Sequence, residues 1–114
     1  MPPTRERVEA MLGGTRRDRS ELLGEMAPNY GRLTVEKAAV NAVMAGCRPE
    51  YLPVVIAAAE CACDPAFNLH GVSTSTHFSA PRIVVNGPVR ARIGLNASFG
   101  VFGPGYRANA TIGR

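Results

Sequence analysis

Apolar residues are sparse and periodic up to Leu33 and dense beyond it. In Thr4 to Leu12 (TRERVEAML) they recur at helical spacing, with Val8, Met11 and Leu12 on one face. Thr4 suits the N-cap of this helix, and Gly13-Gly14 stops it. Asp18 to Glu25 reads as another helical turn, because Leu22 and Leu23 need a surface to cover. Met26 to Leu33 (MAPNYGRL) reads as a loop, marked by Pro28, Asn29 and Gly31. Residues 1–33 are therefore expected to form an arm of short helices with too little apolar mass to fold alone.

The core is expected in residues 34–114. Thr34 caps the next helix, and Glu36 sits near its positive dipole end. Ala38, Ala39, Val40, Ala42, Val43 and Met44 make that helix apolar nearly all round, with Asn41 the single polar group inside the run. Gly46 ends it. Pro49 suits the first turn of a second helix, but Pro53 would break a continuing one. Arg48 to Leu52 is therefore an irregular turn or a bend, and VVIAAAECAC follows as a second buried helix.

Val72 to Phe78 (VSTSTHF) and Arg82 to Val85 (RIVV) are β-branched and read as two short strands. Val89 to Ile93 reads as a short helical piece closed by Gly94. Leu95 to Gly105 is a glycine-rich loop, and Tyr106 to Arg114 a final helix of barely two turns. These elements predict an α/β fold, with α+β as the alternative. A central buried helix pair would carry a small sheet, and the abrupt last helix suggests a domain completed by another chain.

Composition fits this outline. The chain has 114 residues, 46% hydrophobic and 19% charged, in the globular range. Its net charge is +4, spread over local arginine groups. No continuous basic stripe with interleaved aromatics is evident, so nucleic acid is not an expected partner. No run of about 18 apolar residues offers a membrane span. No signal peptide is visible, and the three cysteines lack scaffold-like spacing, which together predict a cytoplasmic protein with reduced thiols.

The leading chemical candidate is Cys47, beside Arg48 and followed by Glu50. A helix entrance offers unpaired N–H groups and a positive dipole end, and a neighbouring guanidinium adds to both. That setting favours a thiolate able to act as nucleophile or metal ligand. The alternative is a small apolar plug between packed helices. Asn41 is either satisfied by a backbone carbonyl or lines a site. Cys61 and Cys63 lie two apart on a helix and do not share a face, so they read as core or boundary residues. His70 and His77 are candidate ligands, with Cys47, for a transition metal such as zinc or iron. Gly103, Gly105 and the helix start after them suggest an anion cradle, with Arg107 adding a charge-assisted contact and Asn109 orienting a small anionic substrate.

TVEKAAVNAVMAGCRPEYLPVV, DPAFNLHGV, VNGP, LNASFG and GPGYRANATIGR together resemble a bacterial family associated with proteins carrying a Sec/Cys-Gly-Ser-Cys motif, usually labelled UGSC. The likeness runs from about Arg7 to Arg114. It implies that Cys47 leads the site and that redox or metal-bound sulfur chemistry operates there. It also implies that a further polypeptide continues the domain, since longer relatives extend past ATIGR and the UGSC motif itself is missing here. THFSAPRIVVNGP departs from the family pattern around His77, which weakens any role for that residue. The expectation is a small subunit of a heteromeric cytosolic enzyme using Cys47 on an anionic substrate. The alternatives are a metal-dependent lyase or hydratase subunit and a non-catalytic structural subunit.

Overall fold

Thr34 governs how the first half folds. Its hydroxyl accepts from the Lys37 N–H (3.3 Å) at the start of a helix, α2 (Val35–Ala45). The two N–H groups before Lys37 donate to main-chain carbonyls, Val35 to Glu21 (3.1 Å) and Glu36 to Arg19 (2.9 Å). The orphan donors of the first turn are thereby satisfied by the segment 19–21. The structure, a computed structural model, describes residues 1–114.

A first helix, α1 (Arg5–Leu12), buries Val8 and Met11 against α2. Beyond it the sequence-based expectation is corrected. Leu22–Met26 is a strand, β1, rather than a helical turn, and Gly31–Thr34 is a second strand, β2, rather than loop. They pair antiparallel, with an irregular register between Leu22 and Gly24. Pro28 and Asn29 lie in the turn and Gly31 opens β2, so these residues are hairpin punctuation, not a sign of missing structure. The hairpin packs on a helix, α3 (Leu52–Cys63). Residues 1–33 thus add Val8 and Met11 to the core.

Gly46 ends α2 with φ +89°, and its N–H and that of Cys47 bond back to Val43 and Ala42 (3.0 and 2.9 Å). This is a Schellman turn, which only glycine enters without strain. A 3₁₀ turn, Pro49–Tyr51, then leads into α3. Pro53 falls in the first turn of α3, where its missing N–H costs nothing. Of the two alternatives for Arg48 to Leu52, an irregular turn or a bent helix, the turn is the one formed. Leu52 and Val35 are fully buried at the centre of the helix pair.

The remaining elements are short. They are a second 3₁₀ turn (Pro65–Phe67), α4 (Leu69–Thr74), α5 (Pro88–Arg92) and α6 (Arg107–Ile112). The strand expected at Val72–Phe78 is therefore not formed. Asn68 caps α4 through its side chain, and Ser73 and Thr74 donate to the carbonyls of Leu69 and His70 (each 2.7 Å). Small hydroxyl residues that bond to their own backbone override β-branching when no strand lies alongside. Arg82–Val85, also expected as a strand, has no ladder partner, since the sheet contains β1 and β2 alone. The fold mixes six helices with a two-stranded antiparallel sheet, as the expected fold class required, with the sheet relocated to the N-terminal third. No helix is long and apolar enough to cross a membrane.

Two arginines tie the first half together. Arg19 reaches Glu9 on α1 (2.9 Å) and Glu36 on α2. Arg17 grips Glu21 and Glu60 (2.7 Å each), joining the approach to β1 with α3. These bonds hold the Arg17 guanidinium above its ordinary value and the Glu21 carboxyl below its own.

Candidate functional site

Cys47 occupies the position after Gly46 in the Schellman turn, where an apolar side chain normally packs back on the helix it follows. It does so here and is 7% exposed. Its Sγ donates to the main-chain oxygen of Thr111 on α6 (3.4 Å). Burial pushes the thiol above its ordinary value, while the Thr111 side chain and the Arg107 charge pull the other way and only partly offset it. This is the reverse of the lowered value expected at a helix entrance. Cys47 belongs to the C-terminal end of α2, whose dipole disfavours a thiolate, and the new helix starts only after the 3₁₀ turn.

The guanidinium beside the sulfur is that of Arg107, not Arg48. Arg48 and Glu50 are each more than half exposed and face one another across 3.9 Å at the surface. Arg107 donates from Nε and Nη2 to the Gly46 carbonyl (3.1 and 2.9 Å). A cation on the last carbonyls of a helix is well placed for the dipole, so Arg107 fastens α6 to the end of α2. Its charge is thereby used inside the chain.

Asn41 donates to the Lys37 carbonyl (2.8 Å) and lies on an exposed stripe with Lys37 and Met44, so α2 is amphipathic rather than apolar all round. Asn41 and Cys47 do share the rim of one depression of about 270 Å³ between α2, α3 and α6. Gly103, Gly105 and Asn109 lie elsewhere. Gly103 donates to Gly100 (2.8 Å) in a tight turn, and Gly105 precedes α6, which has only 6 residues and so a short dipole. The Asn109 amide is committed to Asn96 and Val101.

The candidate metal ligands are not brought together. His70 stacks on Tyr30 with ring centroids 6.0 Å apart, and His77 on Phe78 at 4.4 Å. Nowhere do three His, Cys, Asp or Glu side chains converge in a way that could hold a metal ion. Cys61 and Cys63 are free thiols, and Cys61 is exposed.

The largest apolar feature was not foreseen as a site. Pro53, Ala57 and Cys61, spaced four apart on α3, form an exposed stripe that faces Ile83 and Val84 across a groove of about 570 Å³. Beyond the segment 82–85 lies a second depression of about 420 Å³, lined by Leu95, Val101 and Phe102, with Arg82 and Arg90 at its edge. Phe78, Phe99 and Phe102 are 92%, 99% and 85% exposed. The four-residue apolar spacing on α3 was legible in the sequence, but both faces of that helix are apolar, so periodicity could not tell the covered face from the open one.

Comparison of the chain with family models, curated proteins and solved structures finds no match.

Proposed function

We propose that this chain is a structural subunit of a heteromeric assembly, supplying an apolar face that a partner polypeptide covers. The observation that carries this reading is the open groove along α3 together with the three fully presented phenylalanines. An apolar groove of this kind, with large aromatic side chains left to solvent, is the surface a partner's side chains would cover. The motif resemblance to the UGSC-associated family implies a partner polypeptide, which is in keeping with this reading.

The enzymatic alternative keeps one supporting observation. The depression at Asn41 reaches Cys47, with Arg107 nearby to meet an anionic group. Against it stand the thiol, which burial holds above its ordinary value, and the engagement of Arg107 by Gly46. Alkylation of the native protein with iodoacetamide, located by mass spectrometry, separates the two. The structural reading expects Cys61 to label first and Cys47 only on unfolding, whereas rapid labelling confined to Cys47 favours the thiol enzyme. Light scattering on the purified chain tests the subunit reading itself. Self-association or dye binding to the apolar face is expected, and a monodisperse monomer that melts cooperatively and binds no dye overturns it.

A further inference from the structure

Three features converge on Arg82–Val85. The first is its main chain. No N–H or C=O of residues 80–86 takes part in a hydrogen bond within the chain. Backbone polar groups are either paired or left to water, and an apolar β-branched run left to water is an open edge. The second is its side chains. Val85 packs against the core, while Val84 is 68% exposed and Ile83 43%. The depressions on both sides are apolar.

The third is charge. All nine acidic residues lie at or before Asp64, and residues 65–114 hold five arginines and no acidic side chain. Arg107 is held by Gly46, but no ion pair or side-chain hydrogen bond engages Arg82, Arg90 or Arg92, and Arg82 and Arg90 border the depressions. In the first half Arg17 and Arg19 each take two carboxylates. The second half has no acidic side chain to offer.

Resting on the subunit reading above, we propose that Arg82–Val85 is the receiving edge for a β-strand of an acidic partner polypeptide. The incoming strand pairs with the free main chain, places alternate apolar side chains in the flanking depressions, and sets its carboxylates against Arg82 and Arg90. Strand addition of this kind draws affinity from the main chain and specificity from pockets and rim charge. A second copy of this chain is the poorer occupant, because its own apolar β-branched edge carries the same positive charge.

The test places a photo-crosslinking phenylalanine at Phe102 in the full chain, irradiates it in the cells that make it, and sequences the attached peptide. That peptide is then synthesised and its affinity measured. A segment rich in Asp or Glu and β-branched residues is expected. Arg82→Gln with Arg90→Gln should weaken it roughly tenfold and flatten its salt dependence. Of Ile83→Pro and Val84→Pro, the one whose N–H faces the partner should weaken binding at least tenfold and its neighbour little, the alternation a strand requires. Both positions are exposed and outside the hydrogen-bonded structure, and a thermal melt checks that each variant is folded. Attachment to a second copy, to RNA or to a basic segment overturns the proposal, as does binding indifferent to both prolines. A partner that attaches along α3 but not here sinks strand addition and leaves the subunit reading standing. A partnerless monomer sinks both.

Discussion

Asn109 holds Asn96 by both of its main-chain groups: its Oδ1 accepts from the Asn96 N–H (2.9 Å) and its Nδ2 donates to the Asn96 carbonyl (3.0 Å). A second donation reaches the Val101 carbonyl (3.2 Å). One side-chain amide thus does for the loop after α5 what a neighbouring strand does elsewhere, and roots residues 95–101 on α6.

Replacing Asn109 should loosen that loop without touching the helix pair. Asn109→Asp keeps the acceptor but turns two donations into carboxylate–carbonyl repulsion. It should cost about 2 kcal/mol, lowering the melting temperature by roughly 8 °C. Amide exchange at Asn96 should rise in parallel. Equal melting temperatures for Asn109→Asp and the native chain would show that the pairing contributes nothing.

Alkaline pH should weaken the fold through Cys47. Burial holds the folded thiol above its unfolded value. Below the unfolded value of about 8.5 both states keep the proton and stability is complete. Above it the unfolded chain releases a proton that the folded chain retains, so stability falls as pH rises toward the folded value. Melting curves at increasing pH, compared with Cys47→Ala, isolate this contribution, because Cys63, displaced in the same direction, is present in both. A native curve that runs parallel to that of Cys47→Ala would contradict it.

Gly14 should tolerate no side chain. A Cβ there would lie 1.9 Å from the Pro49 carbonyl oxygen and 2.6 Å from its carbon. Main chain cannot rotate away, so Gly14→Ala should force the turn after α1 off the 3₁₀ turn, at a cost on the order of 2 kcal/mol. Gly13→Ala is the control, its nearest contact being the Ala10 oxygen at 3.2 Å. Chemical denaturation of both variants decides, and a Gly14→Ala midpoint at or above that of Gly13→Ala would refute the steric reading.

The helices were legible where local chemistry dictates them. Thr34 and Gly46 set the bounds of α2, and Pro49 sets the start of the 3₁₀ turn that leads into α3, because caps and prolines act on their immediate neighbours. The hairpin was not read, because Gly24 interrupts β1 and Leu22-Leu23 breaks the alternation that marks a half-buried strand. Val72–Phe78 misled in the opposite sense, since β-branching predicts a strand only where another strand waits beside it. Cys47 stands out in the sequence, but its character depends on burial and on Thr111 and Arg107, distant in the chain, which no local pattern relates to it. Arg107 was identified as an anion contact from its glycine-rich approach, whereas the electronegative group it meets is the carbonyl end of α2.

The confinement of every carboxylate side chain to the first 64 positions has a consequence for the molecule in salt. Up to Asp64, added ions screen the arginine bridges at Arg17 and Arg19 and slacken the elements they join. After Asp64 no side-chain ion pair is present, and apart from the contact of Arg107 with the Gly46 carbonyl the ions screen mutual repulsion among arginines, so they ease that part of the chain. Ionic strength therefore acts with opposite sign on the two halves of one polypeptide, and a constant melting temperature across a salt series would be the sum of a softened half and a relaxed one.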